Sequence, residues 1–422
     1  VEDRRDARGR PAYAMHDRFI EVVSESMPPA QRRDAHRRAG RYLAGRAGKD
    51  PQTLARAAAH LVVADANEEA RTLYERASRL ADDHGRPDMA LQLIERGLLV
   101  APLRGVAALH RALERHDLAV KAGMAEAASR TLAELTRLRR RAGAEARVEI
   151  DLRRATMAAR RGEQARARRL GKRSLGAARR LGSSRLEQAL LLALSDMDFA
   201  TGAIESSLVG FTAAARVAEG RDDRLGIARA SLGASLALLH LGRPIPAEKQ
   251  AQRATRTARG GAGVELRSEA LRQLGNVARE LGDNRGAVRY YRQAVKAARA
   301  AGAIIGEAKA LNNLGTVAQW LGRVDEAATA FTRSRELKER AGARASLHVT
   351  DNNLAALFVA IGRIADGRAI LERVIEAEDA GGMVTSIARG NLGDVYALEN
   401  RLEEAISCYR LSLGFCRDRG FA

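Results

Sequence analysis

The sequence predicts an all-α fold, a solenoid of antiparallel helix pairs stacked one after another. Three observations predict it. The chain has 422 residues, which is longer than a single hydrophobic core usually grows. It contains only 8 prolines and is rich in alanine, leucine, arginine and glutamate, the residues that favour helix. Its glycines recur in a fixed phase, and a fixed period of this kind is typical of repeat architectures.

Glycine marks the predicted ends of the helices. Six glycines lie 40 residues apart: Gly162, Gly202, Gly242, Gly282, Gly322 and Gly362. Asn400 follows 38 residues later. Glycine or asparagine just after a helix enters the left-handed conformation cheaply and stops the helix. A second set of stops keeps the same phase at Gly302, Gly342 and Gly382, followed by Gly420. Two stops in each period predict two helices in each repeat.

Columns of small and large residues run between these stops. The small column of the first helices is Ala155, Ser195, Ser235, Gly275, Gly315, Ala355 and Gly393. The small column of the second helices is Ala167, Ser207, Ala247, Ala287, Ala327, Gly367 and Ala405. Small residues are expected where the backbones of two antiparallel helices come closest. Large residues recur in the second helices and are predicted to fill the space between neighbouring pairs: Phe211, Tyr291, Phe331, Leu371 and Tyr409.

This pattern resembles the tetratricopeptide repeat (TPR) in its 40-residue form, in which a Leu-Gly pair in the first helix is diagnostic. The matching pairs are Leu274-Gly275, Leu314-Gly315 and Leu392-Gly393. The resemblance implies a right-handed superhelix whose first helices line a concave groove. We expect seven such repeats over 148–422 and degenerate helical repeats over 51–147, where the large His116 occupies a column of otherwise small residues.

Residues 1–50 do not follow the period. A short strand is expected from Ala12, leading into a helix that ends near Ser26, and Pro28 and Pro29 then begin another helix. The Arg/His-rich string 31–39 is similar to the segment joining the ATPase and winged-helix core of bacterial signalling ATPases to their C-terminal repeats. Large LuxR-type regulators and ATPase-fused serine/threonine kinases are examples. The resemblance implies a remnant of a winged-helix or linker segment, and a chain that is the sensor region of a larger regulator or a descendant that has lost the catalytic half.

The sequence contains no pattern of catalytic, cofactor-binding or metal-binding residues. Residues 171–174 resemble the end of a phosphate-binding loop, but they lack its upstream glycine and lie inside a predicted helix. The 8 histidines have no metal-ligand spacing. We therefore expect a protein that is not an enzyme and needs no cofactor or metal.

The sequence favours a cytoplasmic protein without a membrane span. No apolar run approaches the ~20 residues that a spanning helix needs. The N-terminal residues are charged, and no secretory apolar stretch follows them. The only cysteines, Cys408 and Cys416, cannot form a disulfide framework.

A row of amides in the first helices is the first candidate binding site. Its members are Asn276, Asn312, Asn313, Gln319, Asn352, Asn353 and Asn391. An Asn side chain offers a donor and an acceptor, so it can bind a peptide backbone of any sequence. Asparagine is disfavoured inside helices, which suggests that these side chains have a task. The alternative is that they only bridge neighbouring repeats. Trp320, the only tryptophan, either borders the same groove or packs at a repeat junction.

A basic band is the second candidate site. The net charge is +20, and residues 137–185 alone contain 17 Lys and Arg against 4 Asp and Glu. The band comprises Arg139, Arg140, Arg153, Arg154, Arg160, Arg161, Arg168, Arg169, Lys172 and Arg173. Such a surface suits an acidic protein surface or nucleic acid. No aromatic residue interleaves it, which argues against stacking on single strands. A solvated face produced by a GC-rich genome is the third alternative.

We expect a non-catalytic protein- or peptide-binding scaffold, the sensor or regulatory region of a bacterial signal-transduction or transcription-regulatory protein. The alternative is a regulatory fragment that contacts nucleic acid through the basic band. A homo-oligomer through the C-terminal repeat is also expected, because the last helix carries large apolar residues where a terminal repeat normally has a polar face. These residues are Ile406, Tyr409, Leu413 and Phe415.

Overall fold

The computed structural model describes residues 2–5, 11–14, 26–260, 263–377 and 380–418. The chain divides into two compact units, Val1–Ile150 and Asp151–Ala422. Helices dominate both units, so the predicted all-α class is confirmed. The domain boundaries expected at 50 and 147 stay predictions.

A small antiparallel sheet begins the first unit. Strand β1 (Glu2–Arg5) pairs with β2 (Pro11–Ala14), with Glu2 opposite Ala14. The strand expected from Ala12 is therefore present, and it has a partner strand that the sequence did not reveal. The helix expected to end near Ser26 falls on residues 15–25, which lie outside the described residues.

From residue 26 onward the first unit is helical. Its helices are α1 (Pro29–Arg46), α2 (Pro51–Val63), α3 (Asn67–Asp83), α4 (Pro87–Val100), α5 (Gly105–Lys121) and α6 (Ala125–Leu138), followed by a 3-10 turn at Arg139–Arg141. Proline begins α1, α2 and α4, where its missing N–H is not needed. Asp50 caps α2 by accepting hydrogen bonds from the backbone N–H groups of Gln52 and Thr53.

Helix α7 (Ala144–Arg160) spans the boundary between the units, and the second unit then alternates second and first helices. They are α8 (Gln164–Arg180), α9 (Ser184–Ala200), α10 (Ile204–Glu219), α11 (Arg224–His240), α12 (Pro244–Thr257), α13 (Val264–Glu280), α14 (Asn284–Ala300), α15 (Ile304–Trp320), α16 (Val324–Arg340), α17 (Arg344–Ala360), α18 (Ile364–Glu376), α19 (Gly382–Leu398) and α20 (Leu402–Asp418). The odd-numbered helices are the predicted first helices, and the even-numbered ones are the second helices.

The backbone confirms most of the predicted helix stops. The six glycines in 40-residue phase have φ between 67° and 80°, and Asn400 has φ 63°. The prediction for Gly382 is wrong. Helix α18 ends early, Gly381 takes the left-handed conformation with φ 77°, and Gly382 becomes the first residue of α19. Gly420 lies outside the described residues.

Glycines in the first helices make room for aromatic rings of the second helices. A Cβ added to Gly275 would lie 2.4 Å from the ring of Tyr291 in the same repeat, and one on Gly315 would lie 2.7 Å from the ring of Phe331. Both rings are fully buried. The large residues therefore fill space inside their own helix pair as well as at the junction with the next one.

His116 in the first unit replaces a serine that plays the same part in other repeats. Ser78 and Ser235 each donate a hydrogen bond of 2.8 Å to a backbone carbonyl twelve residues later. The Nδ1 atom of His116 lies 3.0 Å from the equivalent carbonyl, that of Ala128, and the ring is 2% exposed. The imidazole is therefore accommodated at this position as a bridging polar group.

The two kinds of helix line opposite sides of the second unit. From α9 to α19, each first helix packs against the first helix of the next repeat. Each second helix packs instead against the first helices of its own repeat and of the next one. The first helices therefore form one continuous face, on which the predicted amides lie. In the part of the chain that the structure describes, no helix is both long and apolar enough to span a membrane.

Candidate functional site

Asparagine side chains of the first helices form a hydrogen-bonded ladder between repeats. The pairs are Asn276 with Asn313, Asn312 with Asn353, and Asn352 with Asn391. In each pair the Nδ2 of the later residue donates to the Oδ1 of the earlier one, over 3.0, 3.2 and 3.0 Å respectively. We call these six side chains the amide ladder. Bridging of neighbouring repeats is therefore observed, and contact with a peptide stays a prediction.

The ladder begins at a buried tyrosine. The Tyr291 hydroxyl donates to Asn276 Oδ1 over 2.9 Å, and Asn276 Nδ2 donates to Gln273 Oε1 over 3.0 Å. Burial raises the pKa of Tyr291 to about 12, so its hydroxyl keeps its proton at neutral pH. Asn276 Oδ1 thus accepts two hydrogen bonds, from the tyrosine and from the next repeat.

A buried lysine stands behind the middle of the ladder. Lys338 on α16 is 2% exposed, and its Nζ donates to the Ser346 carbonyl over 2.8 Å and to Thr350 Oγ1 over 2.5 Å. Burial, reinforced by the charge of Lys309, lowers the pKa of Lys338 to about 8. At neutral pH the group is therefore still mainly an ammonium, which has donors and no acceptor.

The ammonium fixes the direction of the next hydrogen bonds. Because Thr350 Oγ1 accepts from Lys338, its own hydrogen is available for an acceptor, and Asn312 Oδ1 lies 3.0 Å away. The same Oδ1 accepts from Asn353. The Asn312 oxygen is therefore turned into the ladder, and its Nδ2 is turned out of it.

The ladder leaves different atoms available at different positions. Among the described residues, Nδ2 of Asn312 has no hydrogen-bond partner, whereas Asn313, Asn353 and Asn391 each have an unpartnered Oδ1. All four side chains are partly exposed, whereas Asn352 is only 7% exposed. The face of the first helices therefore offers an N–H donor beside C=O acceptors.

Cationic side chains flank the ladder at α13 and α15. Arg279 and Arg272 lie close enough to Tyr291 for their charges to oppose the rise of its pKa, which burial causes. The charge of Lys309 instead reinforces the lowering of the Lys338 pKa by burial. Neither Arg272 nor Lys309 has an ion-pair partner in the described part of the chain. Two unpaired cations therefore lie beside the first half of the ladder.

Two other predicted groove residues take no part in the ladder. Gln319 is half-buried near the end of α15. Trp320 is 59% exposed, and the Arg279 guanidinium of the preceding repeat lies 5.8 Å from its ring centroid. Trp320 thus makes a cation–π contact at a repeat junction and keeps most of its surface open.

Sequence reasoning missed the two residues that orient Asn312, although a signal was present. Lys338 stands in a column of the second helices where the four preceding repeats have alanine: Ala178, Ala218, Ala258 and Ala298. Thr350 likewise stands in a first-helix column where the three preceding repeats have Ala230, Ala270 and Ala310. Two polar residues that replace alanines at the same junction predict a buried polar contact there.

The basic band divides between the two units. Arg139 and Arg140 belong to the 3-10 turn of the first unit, and the other members belong to the second. Arg154 pairs with Asp151 over 2.8 Å, and Arg168 pairs with Asp198 over 2.9 Å. Three exposed cations on α8 have no partner among the described residues: Arg169, Lys172 and Arg173. The described residues also contain no group of three or more His, Cys, Asp and Glu side chains placed to hold a metal ion.

Two segments of the chain match models of the tetratricopeptide repeat family, residues 270–302 and 388–419. The first contains Asn276 and the second contains Asn391, the two ends of the ladder. No curated protein sequence matches the chain.

Solved structures similar to the chain share its fold at low sequence identity. One is the apo form of the quorum sensor NprR from B. thuringiensis, with 14% identity and a TM-score of 0.60 over 82% of this chain and 99% of that chain. Another is a Rap protein complexed with Competence and Sporulation Factor, with 13% identity and a TM-score of 0.54 over 82% of this chain and 97% of that chain. A third is a Signal Transduction ATPase with Numerous Domains (STAND) protein with a tetratricopeptide repeat sensor from Pyrococcus horikoshii. It has 14% identity and a TM-score of 0.57 over 88% of this chain and 54% of that chain.

Proposed function

We propose that this tetratricopeptide-repeat protein is a non-catalytic cytoplasmic scaffold that binds an extended peptide or partner segment along the first helices of its second unit. It serves as the sensor or regulatory region of a bacterial signal-transduction or transcription-regulatory protein. The amide ladder is the observation that carries this proposal.

The ladder suits an extended peptide because both offer donors and acceptors. The Asn312 Nδ2 donor matches a peptide C=O, and the free Oδ1 atoms of Asn313 and Asn353 match peptide N–H groups. Partly buried hydrogen bonds already hold these side chains in place, so ordering them on binding costs less conformational entropy. The unpaired cations at Arg272 and Lys309 favour a peptide with acidic residues.

The proposed sensor role is supported by the descriptions of the similar solved structures. One is a quorum sensor, another is complexed with Competence and Sporulation Factor, and the third carries a tetratricopeptide repeat sensor. The likeness is in the fold, and the role of this chain is our inference from that fold and from the ladder. The chain spans 54% of the STAND protein, so an ATPase function is not carried over.

One substitution separates peptide binding from the structural role of the ladder. Asn312→Asp keeps the oxygen that Thr350 and Asn353 use and removes the outward N–H donor. A library of random-sequence peptides with acidic and neutral members is screened by fluorescence anisotropy, and the best binder is titrated against both proteins. We expect affinity for that peptide to fall about tenfold while the melting temperature stays the same.

The matched control is Asn313→Asp, which removes a donor that the ladder uses and keeps the outward oxygen. This variant should lose stability. If no peptide binds the wild-type chain, or if Asn312→Asp binds as well as wild type, the groove assignment is wrong.

The exposed cations of α8 support a second candidate function, contact with a polyanion. Arg169, Lys172 and Arg173 lie within about one helical turn and have no partner among the described residues. An acidic protein surface or nucleic acid would both fit them. Binding of a DNA duplex that weakens steeply with added salt would support nucleic acid. Binding of an acidic protein but not of DNA would support the protein surface, and binding of neither at low salt would exclude this candidate.

A further inference from the structure

The second helices α8, α10, α12 and α14 carry a large excess of positive charge. Together they contain 16 Lys and Arg against 3 Asp and Glu, and α8 and α14 contain no acidic residue. The first helices packed between them, α9, α11 and α13, contain 6 of each kind. A genome-wide preference for arginine would enrich both kinds of helix, so it does not explain this difference.

The excess is confined to this part of the second unit. The later second helices α16, α18 and α20 contain 8 Lys and Arg against 10 Asp and Glu. The side of the unit formed by the second helices is therefore basic from α8 to α14 and slightly acidic beyond α14.

Most of the cations on α8 to α14 are exposed and have no ionic partner. Besides the three unpaired cations of α8, six others are exposed and make no ion pair with a described residue: Arg216, Lys249, Arg256, Arg285, Arg289 and Lys296. We call these nine side chains the basic face. Two of the three acidic residues of these helices are engaged elsewhere, since Glu219 pairs with Arg253 and Glu248 accepts a hydrogen bond from Gln252 over 3.0 Å.

The repeat aligns six members of the basic face in two rows. Members of a row are separated by one or two 40-residue periods: Arg169, Lys249 and Arg289 in the first row, and Arg216, Arg256 and Lys296 in the second. Val209 takes the first-row position on α10. The two rows lie seven residues apart along the helices, which is about 10 Å. The face therefore presents a repeating charge that extends across several helices.

The chemistry of the basic face favours a nucleic-acid duplex over a protein. Protein interfaces have an apolar and often aromatic centre, whereas the only exposed large apolar residues described on these four helices are Val209 and Ile245. A DNA duplex carries one negative charge per about 1.7 Å of its axis and releases condensed counterions when cations replace them. It is also stiff over about 50 nm, so it contacts cations on several helices without the ordering cost of a flexible acidic segment.

We infer that the basic face binds double-stranded DNA through its phosphate backbone, without preference for sequence. The inference rests on the second candidate function, contact of α8 with a polyanion, and extends it to α10, α12 and α14 with a named partner. Lys and Arg contacts to phosphate position a protein on a duplex and carry no sequence information. The amide ladder is not involved, because the first helices lie on the opposite side of the second unit.

Fluorescence anisotropy of a labelled DNA duplex, titrated with the full 422-residue chain at several salt concentrations, tests the inference. Arg289→Ala with Lys296→Ala on α14 should weaken binding about tenfold at constant salt. It should also reduce the slope of log K against log salt by about 2, because two phosphate contacts are lost. Arg169→Ala with Arg173→Ala on α8 should have the same effect. Duplexes of unrelated sequence should bind equally well.

The matched control is Arg224→Ala with Arg229→Ala, which removes the same charge from two exposed and unpaired positions on the first helix α11. Its affinity for DNA should stay within about twofold of wild type, because salt screens charges that lie more than about 10 Å from the duplex. Circular dichroism of every variant checks that the helices remain folded.

Three results would overturn the inference. A weakened α8 variant beside an unchanged α14 variant would show that the contact is confined to α8, and the second candidate function would still stand. Absence of duplex binding at about 50 mM salt, or displacement of the bound duplex by polyglutamate at equal charge, would overturn the assignment of DNA. Discrimination between duplexes of unrelated sequence would overturn the contact through the backbone alone.

Discussion

Two neighbouring junctions of the second unit use equivalent positions in opposite ways. Where α14 meets α15, the positions are Ala298 and Ala310, and both are fully buried. Where α16 meets α17, the same positions are Lys338 and Thr350, joined by a hydrogen bond. At these two positions the first junction is close-packed and apolar, although Arg299 and Glu307 form an ion pair elsewhere along it. The second junction holds a cation away from water at the same two positions. The 40-residue period therefore fixes the backbone, and the side chains decide what a junction does.

The polar junction is also the one that turns the Asn312 amide. Burying a charge is unfavourable unless hydrogen bonds satisfy it, and Lys338 has the Ser346 carbonyl and the Thr350 hydroxyl. The result is a side-chain donor held outward on the face of the first helices. The comparison indicates that Lys338 and Thr350 contribute orientation to the site, whereas Ala298 and Ala310 contribute packing.

The largest expected effect comes from introducing a lysine at the neighbouring junction, where no acceptors await its ammonium group. Ala298→Lys places a cation among apolar side chains, and we expect a loss of about 3–5 kcal/mol in the free energy of unfolding. Adding Ala310→Thr supplies a hydroxyl acceptor and should recover part of this loss. Urea unfolding followed by circular dichroism measures both variants. The control is Ala300→Lys on the exposed side of the same helix, and an equal loss there would show that burial is not the cause.

The next effect is a pH dependence of the free energy of unfolding that arises at the polar junction. The pKa of Lys338 is about 8 in the folded chain against 10.5 for the free side chain, so between these values the unfolded chain binds more protons. Stability from this residue is therefore lowest below pH 8 and rises as pH increases. We expect a gain of about 2 kcal/mol between pH 7 and 9.5 from Lys338, and its loss in Lys338→Met. The range stops short of the Tyr291 hydroxyl, whose raised pKa acts in the opposite direction at higher pH.

Chemical unfolding of wild type and of Lys338→Met at each pH measures this change in the free energy of unfolding. Other lysines and tyrosines titrate in both proteins, so the difference between them isolates Lys338. Parallel stability profiles for the two proteins would contradict the lowered pKa.

A smaller effect should follow from removing the hydroxyl between the lysine and the amide. Thr350→Val keeps the shape of the side chain but removes its hydroxyl. Lys338 then loses an acceptor and Asn312 Oδ1 loses a donor, which should lower the free energy of unfolding by about 1–3 kcal/mol. Combining it with Lys338→Met makes these two positions apolar, like Ala298 and Ala310, and should recover most of that stability. Calorimetry of the single and double variants tests this. A double variant as unstable as the sum of the single ones would show that the two residues act independently.

Much of this architecture could be predicted from the sequence because it depends on local backbone demands. Left-handed stops need glycine or asparagine, and close helices need small residues, so the period predicts the helix pairs. The stop at Gly382 was misplaced because α18 is shorter than its counterparts and Gly381 takes the turn. The direction of the Asn312 amide could not be predicted, since it depends on Thr350, which in turn accepts from Lys338 on a third helix. Comparing equivalent positions of the repeats shows that a residue is unusual, and only the structure shows which atoms it contacts.

The smallest expected effect distinguishes Asn312 from its neighbour Asn313 in the ladder. Asn313→Asp puts a carboxylate oxygen where Nδ2 now donates to Asn276 Oδ1, and two oxygens repel there. Asn312→Asp keeps its role as acceptor and gains a charge near Lys338 and Lys309. We therefore expect Asn313→Asp to lose about 1 kcal/mol of stability and Asn312→Asp to lose almost none. Thermal unfolding at pH 7 measures both. Equal losses would mean that the ladder does not fix which atom each amide turns outward, and the donor assigned to Asn312 would no longer follow from Lys338.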